Sequence, residues 1–325
     1  MKKTLVALAA VAATGGAFAD SVLTGDFSFG YSSKTANNIN SGGMGMGDAD
    51  IYWATTETLD GGDKVGVNLA IDMSNNTSAY GQAVVVGDET GFYQFASGVK
   101  VTVGSVKAGD YLSAGVASAG SAIDVTMDGQ IFTARSFKDQ ISISIPLAEG
   151  LKLGITSREV GTGRGAGAAN ALAATPTQRD NTASIDYSAG ALALNVGYRT
   201  YDGTDSTSES IASSMNRGAI SYDLGVAKVG AGYVATSYGY GNTITDSLVG
   251  VSAPFGSWTF GAQAGYRTSS GSATAANNTT RAGSVLNASY ALSKATSIVG
   301  GYYSYDAGNA SGNTTGYQIK MFKSF

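Results

Sequence analysis

Apolar and polar residues alternate with a period of two through repeated segments of this chain, and this pattern limits what it can fold into. In residues 64–73 every second side chain from Val65 to Met73 is apolar, and those between are small or polar. The pattern returns at residues 99–104, 151–156 and 192–199. Successive side chains of a β-strand point to opposite faces. The chain is therefore predicted to be all-β, with strands that have one apolar and one polar face.

The first 19 residues have the three parts of a secretory signal peptide. Lys2 and Lys3 form the basic start, residues 5–13 an apolar run, and residues 17–19 the small-residue cleavage site. We predict that residues 1–19 are removed and that residues 20–325 form one domain. No later stretch approaches the roughly 20 apolar residues of a membrane helix. In a membrane the mature protein would thus have to be a closed barrel.

Period-two segments and turn residues together predict 16 antiparallel strands. Their connections alternate between short turns rich in Gly, Pro and Ser and long polar segments. The long segments are residues 33–49, 74–90, 107–136, 161–180, 202–216, 238–244, 269–280 and 306–314. Outer-membrane barrels have short turns at one end and long loops at the other. The order of the connections therefore favours a transmembrane β-barrel.

Aromatic residues near the ends of the predicted strands fit the same interpretation. They are Tyr198, Tyr201, Tyr233, Tyr238, Trp258, Tyr266, Tyr290, Tyr302 and Tyr317. An amphipathic ring is favoured at the edge of a bilayer, although Tyr is common in strands of any kind. We predict that these residues form an aromatic girdle on the outer face.

The composition excludes much chemistry. The chain has no Cys and no His, so it lacks thiolate sites and the commonest general base and metal ligand. We predict no enzymatic activity, no metal site and no cofactor. The net charge of −4 becomes −6 without Lys2 and Lys3, and no basic segment is concentrated enough to predict nucleic-acid binding.

The chain resembles the 16-stranded trimeric general porins of Gram-negative bacteria, most of all the Rhodobacter-type porins of alphaproteobacteria. The resemblance rests on residues 20–30, residues 98–107 before the longest loop, residues 295–301 and the terminal Phe325. It implies a homotrimer among lipid and lipopolysaccharide in the cell outer membrane, with a passive water-filled channel for ions and small hydrophilic solutes. Phe325 is implied as the signal for the barrel-assembly machinery, although Lys323 stands where such porins usually have an aromatic residue.

In that family the third extracellular loop folds into the barrel, and its acidic residues face basic residues on the wall. The corresponding segment here is about residues 107–136, the longest connection. The implied acidic residues of the constriction are Asp110, Asp124 and Asp128, and the basic ones are Lys64, Lys100, Lys107, Arg135, Lys138, Lys152 and Arg158. Such charges act on a permeating ion through their field. We expect weak cation selectivity.

Two other functions remain open at this point. A secreted or surface β-sandwich adhesin or structural protein would share the signal peptide and the polar loops, but its apolar rows would form a core and it would be soluble without detergent. A barrel enzyme is disfavoured by the absence of His. Heat-modifiable migration on a gel separates a closed barrel from a sandwich.

Overall fold

A computed structural model describes residues 20–36, 38–72, 85–108, 136–160, 178–202, 212–271, 278–306 and 313–325. Within these ranges the chain forms 16 β-strands. They are β1 (Asp20–Ala36), β2 (Ile39–Thr58), β3 (Lys64–Asp72), β4 (Val85–Gln94), β5 (Lys100–Ala108), β6 (Ser136–Ala148), β7 (Leu151–Val160), β8 (Gln178–Ala189), β9 (Leu192–Asp202), β10 (Ala212–Asp223), β11 (Lys228–Tyr238), β12 (Thr243–Phe255), β13 (Trp258–Ser270), β14 (Thr280–Ser293), β15 (Thr296–Asp306) and β16 (Asn313–Ser324). Gly239–Gly241 form a 3₁₀ turn, and no helix in these ranges is long and apolar enough to cross a membrane.

All the strands belong to one closed antiparallel sheet. Each strand pairs with its neighbours in the chain, and β1 also pairs with β16, from Asp26 opposite Ser324 to Thr35 opposite Thr315. Closure leaves no strand edge with unpaired N–H and C=O groups, which is what lipid requires of a sheet. The prediction of a closed 16-stranded antiparallel barrel is confirmed. A β-sandwich would need two packed sheets and does not fit.

The register gives each strand an outer and an inner row of side chains. Val67, Val103 and Ile141 lie in one outer row and are 40%, 48% and 57% exposed. The inner row beside them carries polar side chains, such as Arg158, whose Nε donates a hydrogen bond of 3.2 Å to Gln140 Oε1. Apolar side chains outside and polar ones inside are what a barrel with lipid around it and water within it requires.

The connection predicted at residues 33–49 is wrong. β1 continues to Ala36 and β2 begins at Ile39, so the two strands form one long hairpin. Its turn contains Asn38 with a φ of 61°, a left-handed conformation that Asn adopts more readily than most residues. Four glycines within residues 42–47 hide the alternation, because glycine has no side chain to mark a face. Pairing with β1 nevertheless keeps this segment extended.

The connection predicted at residues 238–244 is also short, since β11 ends at Tyr238 and β12 begins at Thr243. The alternation of short and long connections is therefore not strict. The segments that remain long, including residues 109–135, lie wholly or largely outside the described residues.

An apolar cluster lies on the inner face of β9 to β15. Its buried members are Tyr201, Ala212, Met215, Val234, Leu248, Val285, Tyr303 and Tyr305, and Tyr238 packs against them. The assignment of Tyr201 and Tyr238 to an outer girdle is thus wrong. Tyr201 is in register with the inward Asp180 and is only 7% exposed, whereas Tyr198, three residues earlier, points outward and is 50% exposed.

Candidate functional site: the charged inner wall

Five of the seven basic residues predicted for the pore wall have side chains that the structure describes, and all five occupy inward register positions. These are Lys64 on β3, Lys100 on β5, Lys138 on β6, and Lys152 and Arg158 on β7. Their surroundings differ, since Lys138 is buried whereas Lys64 and Lys152 are exposed near the turn end of the barrel. Asp110, Asp124, Asp128 and Arg135 lie outside the described residues, as does the side chain of Lys107.

A buried ion cluster, here called the Asp180 cluster, joins Lys138, Asp180 and Arg199 across β6, β8 and β9. The Asp180 carboxylate accepts a hydrogen bond of 3.1 Å from Lys138 Nζ and lies 3.5 Å from Arg199 Nε. Arg199 Nε also donates to Thr182 Oγ1 at 2.9 Å. The side chains of Asp180 and Arg199 are each 1% exposed. Charges this deeply buried are tolerated only when paired and hydrogen-bonded, so the cluster rigidifies this part of the wall.

A second ion pair lies on β12 and β13. Both oxygens of Asp246 accept hydrogen bonds from Arg267, one from Nε at 2.6 Å and one from Nη2 at 2.7 Å. This two-point geometry is the one that a planar guanidinium and a carboxylate prefer. Arg281 of β14 is the cross-strand neighbour of Arg267 and shares its inward face.

Three carboxylates, here called the acidic row, lie in register on β1, β2 and β3. Asp26 is opposite Asp50, and Asp50 is opposite Asp72. The Tyr52 hydroxyl donates a hydrogen bond of 3.0 Å to Asp50 Oδ2. No group of three or more acidic residues in the described ranges has the geometry to hold a metal ion.

The acidic row and the Asp180 cluster lie at similar heights on opposite walls. Strands β1 and β9 are eight places apart in a ring of 16, so they face each other across the lumen. Counted from the turn end of its strand, Asp50 is eight residues from Thr58, and Arg199 is seven residues from Leu192. An ion that crosses this part of the barrel therefore passes between a row of three carboxylates and a cluster of two cations and one carboxylate.

Sequence reasoning missed several of these residues although strand parity could have found them. Asp26 and Asp50 lie at inward positions of predicted strands, as do Arg199, Arg217 and Arg267. The sequence pattern places Asp180 at the end of a loop, whereas β8 begins at Gln178.

A closed 16-stranded barrel with an apolar outer face and a charged inner wall defines a membrane channel of the porin type. The family model for Gram-negative porins matches residues 4–310. The chain belongs to the Gram-negative porin family, and it is an outer-membrane channel protein.

Solved porins share the fold. An anion-selective porin from Comamonas acidovorans superposes with a TM-score of 0.68 at 17% identity, covering 94% of this chain and 100% of that one. A multiply substituted porin from Rhodopseudomonas blastica gives 0.66 at 16% identity with the same coverage. Comparison with curated proteins gives no significant match.

Proposed function

We propose that this protein is a passive, water-filled diffusion channel for ions and small hydrophilic solutes, with a weak preference for cations. The observation that carries the proposal is the charged inner wall, above all the acidic row of Asp26, Asp50 and Asp72 facing the Asp180 cluster. Charges on opposite walls of a pore act on a permeating ion through their field, and no chemical step is needed. We propose no enzymatic activity.

The charges of the inner wall and the net charge of the chain support a weak preference for cations. Lys138 and Arg199 share the single Asp180 carboxylate, so that cluster keeps a net charge of +1. Asp246 binds Arg267 at Nε and Nη2, and this one-to-one pair acts mostly as a dipole, whose field falls off faster than that of a single charge. The acidic row places three carboxylates at neighbouring register positions, and residues 20–325 carry a net charge of −6 once Lys2 and Lys3 of the whole chain's −4 are left out.

Residues 107–136 are proposed to fold inward and narrow the pore. In this proposal Asp110, Asp124 and Asp128 add negative charge at the constriction, and Lys107 and Arg135 lie where the segment leaves and rejoins the wall. Lys138 supports this, because it points inward on β6 two residues after the segment ends.

The proposal also includes how the protein matures and assembles. We propose cleavage after Ala19, a homotrimer in contact with lipid and lipopolysaccharide, and recognition of Phe325 by the barrel-assembly machinery. Intact mass of outer-membrane material tests the cleavage, and native mass analysis in mild detergent tests the trimer. A mass that includes residues 1–19, or a monomer alone, would contradict the respective step.

Planar-bilayer recording under a salt gradient tests the channel function. Purified protein should give stepwise conductance increments that rise with salt concentration, and a reversal potential of the sign expected for a modest excess of cation current. The preference should fade as salt rises, because ionic strength of about 0.15 M already screens fields beyond about 8 Å. A reversal potential of the opposite sign would overturn the cation preference, and the absence of conductance steps would overturn the channel.

A further inference from the structure

A recess of about 410 Å³ opens in the wall of the barrel between β7 and β10. Polar side chains of its lining are Lys152, Asp186, Ser188, Asn195, Arg217 and Ser221. All of them occupy inward register positions, so the recess faces the lumen. Ala193 and Ala219 also occupy inward positions there, and their short side chains leave the space open.

A chain of hydrogen bonds orients the charged groups of the recess. Arg217 donates from Nε at 3.3 Å and from Nη2 at 3.1 Å to Asn195 Oδ1. Asn195 Nδ2 in turn donates to Asp186 Oδ1 at 2.5 Å. An amide has its acceptor on one side and its donors on the other, so Asn195 satisfies both partners in this orientation only. The guanidinium plane of Arg217 is therefore set before any solute arrives, which lowers the entropic cost of binding.

We propose that this recess binds a small carboxylate that also carries hydroxyl groups, of the size of a six-carbon sugar acid. Two cationic side chains, Lys152 and Arg217, and one carboxylate, Asp186, line the recess, so the charge of its lining favours an anion. Guanidinium matches carboxylate geometry, and the hydroxyls of Ser188 and Ser221 suit a polyol. The volume falls within the roughly 300–1,000 Å³ typical of small-molecule sites. The inference rests on the proposed channel function, since a solute reaches the recess through the pore.

The site can be tested by recording single-channel conductance in potassium chloride. Sodium gluconate is added while the bulk conductivity of the solution is kept constant. Gluconate should lower the wild-type conductance along a saturable curve, whereas the uncharged polyol sorbitol should lower it only as far as viscosity explains. In Arg217→Gln the half-effect concentration of gluconate should rise about tenfold, the loss expected for a charge-assisted hydrogen bond. Arg281→Gln is the matched control, because it removes an inward arginine outside the recess and should leave that concentration unchanged.

The same recordings distinguish the loss of the binding site from the loss of the channel function. If wild type conducts in potassium chloride but gluconate acts without saturation, or acts equally on all variants, the recess is not a binding site and the channel stands. If wild type does not conduct at all, the channel function itself fails. If Arg217→Gln does not fold, Lys152→Gln serves as the test instead, because it alters an exposed side chain of the recess. An unchanged half-effect concentration of gluconate in Lys152→Gln would overturn the proposal.

Discussion

Gly25 and Phe325 exchange two backbone hydrogen bonds, each 3.0 Å long, beside the seam where β1 meets β16. The aromatic ring of Phe325 lies over Gly25, since a Cβ added to that glycine would lie 2.5 Å from Phe325 Cζ and 2.6 Å from the carbonyl oxygen of Asp50. The last residue of the chain thus takes part in closing the barrel. This gives Phe325 a structural place in addition to its proposed role as an assembly signal.

Gly25→Ala is expected to lower the temperature at which the folded barrel loses its fast migration on a gel. The added methyl group collides with a backbone carbonyl, which cannot move away as the end of a flexible side chain can, and such overpacking costs about 1–3 kcal/mol. Gly43→Ala on β2 is the matched control, because a Cβ there has no neighbour within 4 Å. Equal transition temperatures for the two variants would contradict the prediction.

Asp246→Asn is expected to destabilise the barrel by about 3 kcal/mol, because it leaves the guanidinium of Arg267 without its counter-charge in a largely buried position. The side chains of Arg267 and Asp246 are 12% and 6% exposed. Denaturant unfolding in detergent measures the change in the free energy of unfolding.

Arg179→Gln is the control for that experiment. Arg179 and Glu159 also form an ion pair, 2.8 Å long, but their side chains are 61% and 51% exposed. An exposed pair is worth at most about 1 kcal/mol. A loss in Arg179→Gln as large as that in Asp246→Asn would show that burial does not set the cost.

The double variant Asp124→Asn and Asp128→Asn should shift the reversal potential in a salt gradient toward zero or toward anions. Asparagine keeps the size of the side chain while it removes the charge, so a change in pore width is avoided.

Asp50→Asn should shift the reversal potential in the same direction, because it removes one charge of the acidic row. Asp60→Asn, an exposed residue of the turn after β2, is the control and should have little effect. An unchanged potential in the double variant would place both carboxylates in bulk solvent.

Asp63, in the turn between β2 and β3, should make barrel stability depend on pH. The Tyr93 hydroxyl and the Ala96 N–H, the latter at 2.7 Å, donate to its carboxylate and hold its pKa below the ordinary value. Because the folded pKa is lowered, this stabilisation is complete above the unfolded pKa of about 3.9 and is lost as the pH falls through the folded value. Thermal unfolding in neutral detergent should show Asp63→Asn less stable than wild type at pH 6, with the difference vanishing in acid. A difference that stays constant down to pH 2 would contradict this.

The signal peptide, the order of the connections and the resemblance to porins predicted a closed barrel. Strand parity and turn composition predicted 16 strands and the face on which Lys100, Lys138 and Arg158 lie. These properties are local, since the period of two assigns alternate side chains to two solvents whatever the partner strand is. The parity is hidden by glycine in residues 42–47. At Tyr201 it is correct, since Tyr201 lies three residues after the outward Tyr198, and the girdle assignment is wrong because it disregards the parity.

Only the tertiary structure decided how far along the barrel axis each charged side chain lies and which side chain it pairs with. Lys138 and Asp180 are 42 positions apart in the chain, and the Lys138 side chain reaches Asp180 across β7. Asp246 and Arg267 are 21 positions apart and meet as register partners on the neighbouring strands β12 and β13. Sequence patterns carry the face of a residue but not the shear of the sheet, and the shear sets which residues meet across it. For the same reason the opposition of Asp50 and Arg199 across the lumen follows from closure of the ring, which no local pattern encodes.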